Sequence, residues 1–224
     1  MTKTALLFIV ALVAVLTTAR AEVLFKDDFE SYRVGKAIEG QRGWTGSDSY
    51  TIVSVADGQA LHSGRDVPDA AISHAFEGGH KTVYIGLDVD FSVSSANFFW
   101  VAATNGFDDD NAIGAVFGAI DYQPAVALRV RESAEQTKTS SKSLYRNPAR
   151  MVMEVTKSGH DFICKTWFDP QSDRDAPSEY IYGKIQANEL NLFYGRRSSV
   201  GHSAMIMDNL VVATTFDEAA KPTR

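Results

Sequence analysis

An all-β sandwich or barrel is the fold class this sequence predicts, on three observations. Short apolar runs of strand length alternate with turn signals along most of the chain. The run 81–93 alternates apolar and polar residues strictly enough to leave one dry and one wet face. No helical periodicity follows the first twenty residues. No linker divides the chain and no solenoid-length repeat is visible, so one folded domain is expected.

The start is set apart. Lys3 supplies a short positive region, residues 5–16 (ALLFIVALVAVL) an apolar core, and Ala19-Arg20-Ala21 a small-x-small cleavage site. Together they predict a signal peptide, 1–21, cut after Ala21, and a secreted or periplasmic product. Twelve apolar residues fall short of the roughly 20 that span a bilayer, and no second such stretch follows. The mature chain is expected to be soluble, with no membrane span. A domain over 22–216 and a loose tail over 217–224 are expected.

The remaining 203 residues are ample for a self-sufficient core. The leader holds Lys3, Arg20 and no acid, so 20 of the 22 basic residues remain against 28 acids, a net charge of −8. Such a chain repels phosphate backbones, which argues against a nucleic-acid partner. Cys164 is the only cysteine, so no internal disulfide can form. It shares a side of FICKTWF with Phe162 and Phe168 and is expected as a small buried hydrophobe.

In order, the opening run from Phe25 leads through Gly35, Gly40 and Gly43 to Trp44. Strands are expected over 49–55, 60–63, 81–93, 97–103, 113–120 and 125–131. A hairpin follows: 150–156, the turn Ser158-Gly159-His160-Asp161, then 162–168. Short strands at 181–185 and 190–194 precede a closing strand, 204–214. The stretches 64–70, 105–111, 132–143, 169–178 and 196–203 read as loops.

The opening DDFESYRVGKAIEGQRGW resembles the start of a family of exported bacterial proteins with a concanavalin A-like (laminin G-like) jelly roll. Further stretches match: the hairpin RMVMEVTKSGHDFICKTWFDP with its Asp169-Pro170 step, the loop after it to near Pro177, and the closing MIMDNLVVATTF. The resemblance implies a two-sheet antiparallel jelly-roll sandwich. Related jelly rolls often hold a cation between the first and last strands. A structural calcium ion is expected on that ground, with Asp28, Glu30 and Asp208 as ligands, or Asp27 in another register. The fold hosts many activities and fixes none.

For function, the wet sides of the middle strands carry Tyr84, Asp88, Asp90, Arg129, Arg131, Glu154, Lys165 and Trp167. On one sheet they would form a surface of charges and aromatics, as a glycan site does. Alternation alone also leaves a polar face. Trp44 and Trp100 are expected in the core. Glycoside hydrolysis needs two carboxyls about 5–9.5 Å apart. The Glu-x-Asp-x-x-Glu run of jelly-roll glucanases is missing, which leaves Asp88, Asp90 and Glu154. A polysaccharide lyase wants a His or Tyr base beside Arg or Gln, yet His62, His74, His80, His160 and His202 are scattered. No catalytic Ser, zinc or phosphate-loop motif is present. The first expectation is an exported non-catalytic module that binds polysaccharide. The second is a glycan-cleaving enzyme, hydrolase or lyase. The third is a structural surface or matrix protein.

Overall fold

The computed structural model describes residues 21–64, 70–91, 99–105, 111–132, 137–159, 161–185, 189–197 and 204–223. Residues 1–20 of the expected leader, Asp108-Asp109-Asp110, His160 and His202 lie outside the described residues. In chain order the strands are β1 (Val23–Asp27), β2 (Trp44–Gly46), β3 (Thr51–Val55), β4 (Gly58–His62), β5 (Ala71–Ala75), β6 (Thr82–Phe91), β7 (Phe99–Thr104) and β8 (Ala112–Ile120). They continue with β9 (Gln123–Arg131), β10 (Thr137–Thr139), β11 (Ser143–Leu144), β12 (Ala149–Ser158), β13 (Asp161–Phe168), β14 (Glu179–Lys184), β15 (Leu192–Arg197) and β16 (Met205–Ala213). A short helix, α1 (Phe216–Ala220), follows.

Two antiparallel sheets result. The first runs β14-β13-β12-β6-β16-β4-β3, with β1 also paired to β16. The second runs β10-β9-β8-β7-β15-β5-β2, with β11 on β9. The fold is the concanavalin A-like jelly-roll sandwich that the sequence led us to expect. Period-two alternation builds its interior. Val83, Ile85, Leu87, Val89 and Phe91 of β6 face Ile113, Ala115, Phe117, Val126, Leu128 and Val130 of β8 and β9 across one continuous core. The chain ends meet, with Phe25 opposite Val212 and Asp27 opposite Leu210.

Cys164 is fully buried in this core, and burial pushes its thiol well above the ordinary value, so it stays neutral. Strands β2, β5, β10 and β11 were not expected. The run AISHA of β5 is short and mixed, and its place comes from backbone pairing to β15 and β2. Strands β10 and β11 fall in a stretch expected as loop; they attach to the edge of β9 with exposed or half-buried side chains.

The structure corrects the loose tail. Phe216 and Ala219 of α1 are buried against Val152 and Trp167, with Tyr84 and Ala220 beside them. Thr223 Oγ1 donates to Asn209 Oδ1 at 2.6 Å, which ties the chain down beyond the helix.

Candidate functional site

The residues expected to share one glycan surface lie on two different sheets. Strands β6, β12 and β13 place Tyr84, Asp88, Asp90, Glu154, Lys165 and Trp167 on the outer face of the first sheet. Strand β9 places Arg129 and Arg131 on the outer face of the second, alternating with the core residues Leu128 and Val130. The core lies between the two groups.

On the first sheet most of these groups are committed to the fold. Tyr84 and Trp167 pack edge-on against Phe216, with ring centroids 6.1 Å and 5.3 Å away. Burial, then Glu154, pushes the Tyr84 phenol up to about 12. The Trp167 indole N–H donates to Asp175 O at 2.8 Å. Glu154 accepts from Lys165 Nζ at 2.8 Å and from the Thr156 hydroxyl at 3.1 Å. Asp88 accepts from Arg150 Nη1 at 3.2 Å and from Asn209 Nδ2 at 2.7 Å. Asp90 accepts from Asn147 Nδ2 at 3.0 Å.

Strand register decides whether the carboxyls can work as a pair. Glu154 lies opposite Tyr84, four residues along β6 from Asp88. At about 3.4 Å per residue that is roughly 14 Å, too far for the hydrolytic pair. Asp88 does lie opposite Asp208, and both line an open cavity of about 520 Å³ with Asp57, Asp90 and Asn209. Arg150 and Asn209 hold Asp88 there as a structural group.

The expected calcium ligands do not gather. Asp28 Oδ1 accepts from the Glu30 amide at 3.1 Å, Glu30 Oε1 from the Gln59 amide at 2.9 Å, and Asp208 Oδ1 from the Asn209 amide at 2.7 Å. No group of three metal-ligating side chains occurs among the described residues. Asp27 is instead the buried acceptor of the opening turn. It takes the Tyr32 hydroxyl at 2.6 Å, the Trp44 indole N–H at 2.9 Å and the Phe29 amide at 2.9 Å.

The outer face of the second sheet assembles a patch that the sequence did not reveal as one. Trp100, Ala102, Ala112, Val116 and Tyr194 form a buried cluster separate from the main core. Trp100 is buried as expected, but in this second cluster, because it alternates outward between Phe99 and Val101. Cross-strand register lays out two rows. Arg129, Gly114, Ala102, Tyr194 and Ser73 form one. Ala127, Val116, Trp100, Arg196 and Ala71 form the next.

Small residues shape this patch. A Cβ on Gly114 would stand 2.0 Å from Val101 O and 2.5 Å from Ala102 Cα, so position 114 admits no side chain. The Arg129 guanidinium reaches to 5.8 Å from the centre of the Trp100 ring. Tyr194 meets the same ring edge-on at 6.3 Å. Buried aromatics thus form a floor, and half-buried Arg129, Arg131 and Arg196 stand around it. Sequence alternation marks Trp100 and Tyr194 only as strand residues; pairing across β7, β15, β8 and β9 brings them to Arg129.

No family model matches the sequence, and no curated protein matches it. Solved structures do. A β-1,3-glucanase from Mycobacterium marinum superposes with a TM-score of 0.54 at 13% identity, covering 85% of this chain and 98% of that one. A family 16 glycosyl hydrolase from Mycobacterium smegmatis gives 0.53 at 13% identity, covering 85% and 100%. A Bacteroides ovatus family 16 enzyme for mixed-linkage glucan, in complex with a product, gives 0.51 at 12% identity, covering 85% and 99%. At these identities the likeness establishes the fold. It also corrects the first functional expectation: similar structures are glycan-cleaving enzymes, and the non-catalytic binding module gives way to the enzyme reading.

Proposed function

We propose that this chain is a glycan-cleaving enzyme whose polymeric substrate lies across the outer face of the second sheet. Half-buried Arg129, Arg131 and Arg196 hold the substrate there, above the buried Trp100 and Tyr194 that support them. The carrying observation is the patch itself: two aromatics and three arginines on neighbouring cross-strand rows. A few placed polar groups over an apolar support suit glycan recognition. The likeness in fold to glucanases supports the same reading. Glu154 is left out, because it lies too far from Asp88 and serves an internal ion pair; Asp88 and Asp90, about 7 Å apart on β6, fall within the hydrolytic range but are held by Arg150, Asn209 and Asn147. Asp28, Glu30 and Asp208 are left out too, because each accepts a separate backbone hydrogen bond. Export after cleavage at Ala21 belongs to this reading, because it carries the enzyme to extracellular glycans.

The test is incubation of the purified mature protein with a panel of neutral and acidic polysaccharides. Release of reducing ends is the expected result. Hydrolysis gives reducing ends alone; elimination adds an ultraviolet-absorbing unsaturated product. Unchanged chain length across the whole panel would remove the reading.

A further inference from the structure

We infer that the edge of the first sheet carries a separate holding surface, a tyrosine platform on β14 that binds a neutral polysaccharide chain. It goes beyond the enzyme reading and stands independently of it. The observation is a pair of aromatic rings left open. Tyr180 and Tyr182 are 67% and 63% exposed, whereas Ile181 between them is buried in the core. Gly183 also turns inward, where a Cβ would stand 2.5 Å from Val130 Cγ1. Both phenols therefore project from the outer face of an edge strand, about 7 Å apart. Among the described residues no hydrogen bond ties either hydroxyl. Lys138 Nζ stands 6.0 Å from the centre of the Tyr182 ring and leaves that ring open.

The neighbouring rows determine what the platform takes. Register continues Tyr180 into Lys165 and Glu154, and Tyr182 into Ile163 and Thr156. Lys165 and Glu154 neutralise each other at 2.8 Å. Lys184, the next outward residue of β14, lies opposite Asp161. The charges around the rings are thus balanced, and a polyanion finds no excess of cations there. A phenol hydroxyl both donates and accepts, as a sugar hydroxyl does. The ring beneath it offers a flat apolar face to the C–H face of a sugar.

A protein partner fits less well. The two rings together offer on the order of 300 Å², under half of the roughly 800 Å² that each side of a stable protein interface buries. The row behind Tyr180 is an ion pair rather than an apolar extension. Two faces side by side instead hold units of one extended chain. The platform and Arg129 lie on opposite sides of the core, so polymer held here takes no part in the reaction. In the enzyme reading, holding one chain raises the effective concentration of its neighbours at the second sheet.

The test is depletion of the protein from solution by particulate β-1,3-glucan, cellulose and immobilised polygalacturonate, with cleavage followed in the same samples. Every variant is made in the Arg129→Ala background, which weakens the other site. The expected result is retention on at least one neutral probe, weakened about tenfold or more by Tyr180→Ala with Tyr182→Ala. Tyr180→Phe with Tyr182→Phe, which keeps the rings, should stay within about threefold of its parent. Both side chains are exposed, so the urea midpoint should not move. Retention on no neutral probe, stronger retention on polygalacturonate, or equal retention of the alanine variant would each overturn the proposal. So would a dimer that the alanine variant abolishes, which would assign the rings to a second copy. Cleavage with unchanged retention in the alanine variant overturns the proposal and keeps the enzyme reading. Ring-dependent retention without cleavage by the Arg129-intact protein keeps the proposal and removes the enzyme reading.

Discussion

The Arg150 side chain is nine-tenths buried and joins three parts of the chain. Its Nη1 donates to Asp88 and to Asn209 O at 2.7 Å; its Nη2 donates to Ala219 O at 2.6 Å and Lys221 O at 3.1 Å. Burial lowers its pKa, and Asp88 opposes that shift. Arg150→Met strips the charge from Asp88 and the donors from three carbonyls. Removing one partner of a buried pair costs about 3–5 kcal/mol, and the exposure of Asp88 places the loss near the lower end, about 3 kcal/mol. The urea midpoint should fall accordingly with an unchanged slope; a loss under about 1 kcal/mol would count against this role. Tyr84 sets a pH limit. Its folded pKa of about 12 lies above the ordinary 10.0, so its contribution is complete below pH 10 and is lost as pH rises toward 12. Subtracting the spectrophotometric titration of Tyr84→Phe from that of the parent protein should leave a tyrosinate that appears only near pH 12. One that appears near the ordinary phenol value of 10.0 would refute the burial.

The helix α1 has five residues, too few to persist alone, so packing must hold it. Phe216 and Ala219 supply that packing on β12 and β13. Gly86 of β6 lies beneath: a Cβ there would stand 1.8 Å from Ala219 O. Gly86→Ala should push the helix off, at about 1–3 kcal/mol, and expose Trp167 to a fluorescence quencher while the sandwich stays folded. An unchanged quenching rate would show that the helix does not depend on this contact. Strands were the legible elements. The alternation of β6 and of β12 reveals their dry faces directly, because one side must meet the core. The helix was not legible, because FDEAA carries no helical period and Thr215 makes no side-chain cap. The strand β5 was hidden because AISHA is short and mixed, and its pairing to β15 and β2 shows only in the fold.

At the scale of the molecule, the division of charge decides the functional account. Period two tells which face a residue takes but not which sheet its strand joins. Val126-Leu128-Val130 and Val83-Ile85-Leu87 give the same signal, and only pairing separates them. One mixed-charge surface was therefore expected, and the structure resolves it into an acid-bearing first sheet and an arginine-bearing second sheet. The pairing of the chain ends was legible, since both terminal runs are apolar and need a partner. The leader makes its own prediction: mass spectrometry of the exported protein should find Glu22 first, and an uncut Met1 would contradict it. The most direct measurement of the central claim is reducing-end release from a polysaccharide panel by the mature protein, its Arg129→Ala variant and its Asp90→Asn variant. The account predicts cleavage by the mature protein, a loss of about tenfold or more in Arg129→Ala, and full activity in Asp90→Asn. Cleavage that survives Arg129→Ala and vanishes in Asp90→Asn would place the chemistry on the other sheet and contradict it.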